Sequence, residues 1–345
     1  MQVKGITIHA GQVLLYLAGL VLLVVMPHLL PTSYLFELES GLALAIVGLG
    51  FNLLLGYTGL LSFGHGAYFA AGAYTVAMIY HYFPEYYTFE LLLPAALITS
   101  FFISLLFGFL SVRHTKIFFS ILTLSLSMLL NVLLEKFYNI TGGSDGLRVG
   151  IPDMFGISFE GIRRPVFLSD TYYYVLLVIF CLAFLLMKGI VNSPFGKALQ
   201  SIRDDEIRAR LIGVRVRRYR LYAFIISGLF TGLGGALWSF VDGHVTPEIS
   251  HWIFSGEIVY MTLLGGFVIF EGPIVGAILF TFLQSYAIAN TEYWQFVMGI
   301  TLILLVLFLP GGVAGGLGDL ARKVLPKREK ERGKDTKAHR PPTVW

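Results

Sequence analysis

Charge is what this chain has least of. Only 13% of its 345 residues are Asp, Glu, Lys or Arg, and residues 41–84 contain none. A soluble globular domain carries about 25%. The deficit excludes an ordinary soluble fold, and a mean hydropathy of +0.75 points to many membrane spans. Cysteine is also nearly absent. The single Cys181 sits in an apolar run and excludes both an internal disulfide and a cysteine-based metal site. No GK[ST] sequence closes any glycine-rich stretch, so the chain has no ATP-binding motif of its own. His65 has no second ligand-type residue at metal spacing, and the expected metal set is none. No nucleophile–base pair marks an enzyme. The basic residues adjoin apolar spans, which argues against a nucleic-acid partner.

Apolar runs and glycine are abundant. Windows at 11–30, 41–57, 66–83, 91–112, 117–134, 171–187, 221–241, 252–270, 272–290 and 293–310 are long enough to approach a bilayer crossing. They predict an all-α polytopic membrane protein of about 8–10 transmembrane helices, some glycine-broken or re-entrant. Residues 188–220 and 322–340 hold 18 of the 25 basic residues. The positive-inside rule therefore places both segments, and both termini, in the cytoplasm. The expected organisation is a membrane domain over 1–317, with a cytoplasmic coupling loop at 189–220. A basic, disordered cytoplasmic tail follows over 318–345.

Four segments carry chemistry. In 193–213, Ser193 and Pro194 form a helix start, and Ala198, Leu199 and Ile202 share one face. Asp204 or Asp205 caps a second short helix. Its Ile207, Leu211 and Ile212 make an apolar stripe ended by Gly213. Arg203, Arg208 and Arg210 surround it, giving an amphipathic knob with a positive rim. The knob either docks in a partner's groove or lies on the membrane surface. The acidic run Asp204–Asp205–Glu206 disfavours the surface reading, because it would face anionic lipid. In 51–77, five glycines interrupt an apolar run, and Asn52, Tyr57, Ser62, His65 and Tyr68 supply polar groups. The segment either lines a pathway with broken backbone or packs helices closely.

In 140–146, ITGGSDG is a tight turn on the outside, where Gly143, Ser144 and Asp145 meet a partner or substrate or serve structure alone. Asp242 and His244 end a span on the same side and suit docking or gating. Glu257 is an intramembrane carboxylate. It either faces a substrate ammonium or sits at a helix start favoured by the dipole.

Together these stretches resemble the permease subunits of branched-chain amino-acid ABC importers of the LivM type. The matching segments are FNLLLGYTGLLSFGHGAYFAAGAY, TGGSDGL followed by IP, SPFGKALQSIRDDEIRARLIGV, SGEIVYMTLLGGFVIFEGPIVGA and LPGGVAGGL. The likeness runs from about residue 42 to 317. It implies a multi-pass protein of the bacterial plasma (inner) membrane, paired as a heterodimer with a second homologous permease. It also implies two cytoplasmic P-loop ATPase subunits and a periplasmic substrate-binding protein. ATP and magnesium would sit on the ATPase chains and no cofactor on this one. The resemblance assigns ATPase coupling to the 193–213 loop, including Phe195, Gly196 and Glu206. Related permeases carry urea or short amides, a second reading of the substrate. A stand-alone secondary transporter would need buried ion-coupling groups, of which only Glu257 and His65 present themselves.

Overall fold

The computed structural model describes residues 10–114, 117–159, 161–309 and 311–316. The expected tail at 318–345 lies outside the described residues. Almost all that is described is helical, and the protein is an all-α polytopic membrane protein.

Ten helices occupy the ten apolar windows. They are α1 (Ala10–Leu29), α2 (Thr32–Thr58), α3 (His65–Tyr82), α4 (Phe89–Ser111) and α5 (Ile117–Lys136). After two one-turn helices, α6 (Tyr138–Thr141) and α7 (Arg164–Phe167), comes α8 (Tyr173–Asn192). The short α9 (Pro194–Asp204) and α10 (Glu206–Leu211) precede α11 (Val216–Asp242), α12 (Trp252–Gly265), α13 (Gly272–Asn290) and α14 (Trp294–Phe308). Among the described residues, seven helical segments are long and apolar enough to cross a membrane: those holding α2, α4, α5, α8, α11, α13 and α14. Three windows differ in kind. The described part of α1 and the 14-residue α12 are short, and α3 is too rich in His and Tyr. Burial rather than hydropathy keeps α3 in the bundle.

The bundle is built around α2. Almost every residue from Leu42 to Leu54 is buried, so no polar stripe is needed and none is present. Helices α8, α11 and α13 pack on it, and α11 also lies against α3 and α4. Small residues set these approaches. A Cβ on Gly72 would collide with the Gly232 carbonyl, one on Gly235 with the Phe69 carbonyl, and one on Gly228 with Ser104. Without a hydrophobic drive between helices in lipid, close backbone packing holds them together.

The glycine-rich run 51–77 is broken once. Helix α2 stops at Gly59, whose φ of 71° is left-handed, and its N–H returns to the Leu54 carbonyl. Residues 59–64 cross to α3. Ser120 donates to the Leu61 carbonyl at 2.6 Å, and the Phe63 N–H donates to Thr123 Oγ1 at 3.2 Å. The unwound backbone is thus satisfied by α5, as burial demands.

A two-residue antiparallel pair, β1 (Leu147–Arg148) with β2 (His244–Val245), ties the loop after α6 to the end of α11. The chain then turns back. The 3₁₀ segment Pro247–Ser250 enters the bundle beside the middle of α5. Ser127 Oγ donates to the Ser250 carbonyl at 2.8 Å, and Asn131 Nδ2 to the Pro247 carbonyl at 2.8 Å. Helix α12 therefore starts inside the bundle, where the Gly66 N–H donates to Ser255 Oγ at 2.9 Å. Where the sequence suggested a span over 252–270, the structure has the 14-residue helix Trp252–Gly265, shorter than the seven long apolar segments.

Candidate functional site

Two places combine polar chemistry with access, one at each end of α11. At its start lies the knob. Ser193 caps α9, its Oγ accepting from the Gly196 N–H at 3.4 Å and donating to the Ile190 carbonyl at 2.6 Å. Pro194 takes the first helical position. Phe195 stacks on Tyr219, ring centroids 5.6 Å apart. Gly196 has no room for a Cβ against the Val191 carbonyl. Leu199 and Ile202 are buried and Ala198 is half-buried, so this face of α9 binds the knob to its own protein. Arg203 reaches from it to donate to the Gly56 carbonyl at 2.5 Å, and also pairs with Asp204 at 3.0 Å.

Of the two aspartates read as possible caps, Asp205 does the capping. Its carboxylate accepts from the N–H groups of Ile207 at 3.0 Å and Arg208 at 3.1 Å. It also pairs with the Arg208 guanidinium at 2.8 Å. Glu206 bonds to Arg210 and, at 2.8 Å, to the buried Arg220 at the base of α11. Burial pushes the Glu206 carboxyl up, but the bonds and charges of Arg220 and Arg210 outweigh it and hold it below the usual carboxylate range. Gly213, with φ of 92°, ends the knob. Ile207, Leu211 and Ile212 are left 72%, 81% and 76% exposed. The structure thus divides the predicted coupling residues into internal anchors and an outward apolar stripe rimmed by Arg208 and Arg210.

The second place is a cavity of about 860 Å³ near the far end of α11. Glu37 and Ser40 of α2, Asn131 and Glu135 of α5, Asp242 and His244, Thr246, Glu248 and Ile249 of the descending segment, and Gln284 of α13 line it. Its walls also include His251 and Glu257, and no Lys or Arg. The start of α12 opens into it: His251 Nδ1 accepts from the Ile253 N–H at 3.4 Å, and Phe254 and Glu257 follow on the same wall. Gln284 of α13 lines the cavity together with Glu257. The cavity therefore offers carboxylates beside a helix N-terminus, whose dipole favours an anion. Among the described residues, no group of three or more His, Cys, Asp or Glu is placed to hold a metal ion.

The residues predicted for a pathway separate here. Glu257 lines the cavity. Asn52, Tyr57, Ser62, His65 and Tyr68 do not line it; they sit in the packing around the Gly59–Gly64 break. His65 lies between Ser62 Oγ at 3.1 Å and Ser227 Oγ at 2.8 Å, with Phe51 and Tyr68 edge-on to its ring. Asn52 is buried against the place where a Cβ on Gly56 would fall. Glycines there serve close approach. The predicted outer residues do come together: His244 Nε2 lies 2.8 Å from the Asp145 carbonyl, beside Gly143 and the exposed Ser144. Asp242 and His244 belong to the cavity rim as well. Sequence reasoning missed Glu37, Asn131, Glu135, Glu248, His251 and Gln284. Asn131 and Glu135, four apart on α5, carried the one readable signal, a polar stripe in an apolar helix.

A polytopic helical bundle with a polar cavity near one end of α11 and an exposed amphipathic knob at the other suits a membrane transport protein. The family described as the branched-chain amino acid transport system permease component matches residues 34–306, and the chain belongs to it. It is 29% identical over 323 residues to the high-affinity branched-chain amino acid permease protein LivM of Escherichia coli, covering 88% of this chain and 75% of that one. The LivH permease of the same organism is 23% identical over 300 residues, 82% of this chain and 96% of its own. A shorter stretch of 138 residues, 39% of this chain and 42% of the relative, is 32% identical to the guanosine ABC transporter permease NupQ of Bacillus subtilis. No solved structure matches the chain significantly. The protein is a multi-pass transport subunit of the bacterial inner membrane, and its work is transport rather than covalent chemistry.

Proposed function

We propose that this chain is the translocating subunit of an ATP-driven importer and that its solutes are branched-chain or closely related amino acids. The cavity carries the proposal. A free amino acid presents an ammonium, a carboxylate and, here, an apolar side chain. The walls offer Glu37, Glu257 and Asp242 to the first, the start of α12 to the second, and Leu44, Trp238, Phe254 and Phe280 to the third. At the opposite end the Gly266–Gly272 turn closes the bundle, packed on Gly56 through Phe267.

In this reading the knob end faces the cytoplasm, in keeping with its nine basic residues between 188 and 220. Two P-loop ATPase subunits bind there, one seated on the Ile207–Leu211–Ile212 stripe, and carry the ATP and magnesium. A periplasmic binding protein delivers solute at the 140–146 loop and the Asp242–His244 rim. A second permease of the same family completes the pore. The relatives LivM and LivH, each described as a branched-chain amino acid transport system permease protein, support the part of this reading that pairs two permeases.

Uptake of radiolabelled leucine, guanosine and urea by a strain lacking its own leucine importers, with this chain and its gene neighbours restored, tests the proposal. Leucine accumulation that stops when ATP is depleted is the expected result. Guanosine or urea uptake without leucine uptake refutes the substrate assignment.

A further inference from the structure

A smaller cavity, about 200 Å³, lies at the knob end and shares no lining residue with the first. Its walls are Val112, Arg113, Arg210, Val216, Arg217 and Arg220. Four arginines line it: Arg113 just past the end of α4, Arg210 of the knob helix α10, and Arg217 and Arg220 in the first turns of α11. The one carboxylate bonded to them is Glu206, which serves Arg210 and Arg220 together, so the cavity keeps a positive excess. Arg220 is only 6% exposed, yet its Nε has no partner among the described residues. A buried N–H of a charged group left without an acceptor is costly, and an anion in the cavity would supply the acceptor.

The surroundings say what kind of anion. Arg113 lies over the Phe109 ring at 4.6 Å. Phe109 belongs to an exposed apolar face of α4 with Leu106 and Leu110, running from the cavity into the membrane region. Acyl chains cover such a face in a bilayer. Guanidinium forks match phosphate oxygens, and basic pockets between membrane helices suit anionic headgroups.

We propose that this cavity binds a phosphate group, supplied as the headgroup of an anionic phospholipid whose chains lie along α4. Its occupant bridges α10 to α4 and α11 and so braces the knob.

The test uses the full-length chain in its assembled transporter, stripped of lipid and titrated under native mass spectrometry. The probes are phosphatidylglycerol, phosphatidylethanolamine and inorganic phosphate. Arg113→Gln with Arg217→Gln changes two exposed side chains and leaves the Glu206 bonds in place. Phosphatidylglycerol is expected to bind the wild type, with affinity about 30-fold weaker in the double variant. Phosphatidylethanolamine is expected to bind more weakly and to ignore the substitutions. The single Arg113→Gln variant, expected at about fivefold, serves if the double variant is poorly produced. Failure of millimolar inorganic phosphate to displace the lipid identifies the lipid as the source. Displacement, with phosphate binding weakened by the same substitutions, identifies free phosphate. Equal phosphatidylglycerol binding by wild type and variants, or no binding of either phosphate probe, overturns the proposal.

Discussion

Arg203 donates to the Gly56 carbonyl at 2.5 Å across 147 residues of sequence. The bond joins the knob to the last turn of α2, the helix on which the bundle is built. Gly59, where α2 ends, also packs on the Arg203 side chain, its Cβ position 3.1 Å from Arg203 Cγ. The two contacts tie the knob to the break between α2 and α3.

Arg203→Ala is expected to separate docking from transport. A hydrogen bond from a charged group is worth about 1.5–3 kcal/mol. Its loss should lower solute uptake at least tenfold, while the ATPase subunit still co-purifies with the permease. Loss of co-purification in step with uptake would make Arg203 a docking residue instead.

Leu211→Asp has the opposite expectation. Leu211 touches little of its own protein, so the thermal midpoint should move by no more than about 2 °C. Burying an unpaired carboxylate in a partner's groove is unfavourable, and ATPase co-purification should fall at least tenfold. Wild-type co-purification would exclude the α10 stripe as the contact.

Glu257→Gln keeps the size of the side chain but removes a charge from the cavity wall. The KM for leucine uptake is expected to rise about tenfold, the equivalent of about 1.4 kcal/mol. An unchanged KM would assign Glu257 to helix packing.

The Glu206 bridge predicts a pH dependence. Its carboxyl is held below the usual range in the folded knob, so the folded state favours the charged form. That contribution is complete above the ordinary carboxylate value and is lost as pH falls through the lowered one. The stability difference between wild type and Glu206→Gln is expected to be full at pH 7 and to shrink below about pH 4. Thermal unfolding of the two proteins across that range measures it, and a gap that widens on acidification would contradict the bridge.

The knob was legible because its signals are local. A Ser-Pro start, an Asp cap and a left-handed Gly each act within one helical turn, and the structure uses Ser193, Asp205 and Gly213 in those places. The cavity was not legible in the same way. Glu37, Asn131, His251 and Gln284 stand on four elements far apart in sequence, and their meeting depends on how the Pro247–Ser250 segment descends beside α5. The His65 region stayed open between two readings for a related reason. A polar group beside glycines reads the same whether it faces water or bonds to Ser227, 162 residues away.

Scarcity of charge settled the solvent in which this chain folds, and the placing of its arginines marked out the knob. Both follow from composition along a line, since a bilayer rejects charge wherever it occurs. Which polar side chains share a cavity, and which are locked in packing, was decided only when α11 and α13 closed on α2. Close approach at residues such as Gly72 and Gly232 depends on both partners at once, and no single stretch of the chain contains that information.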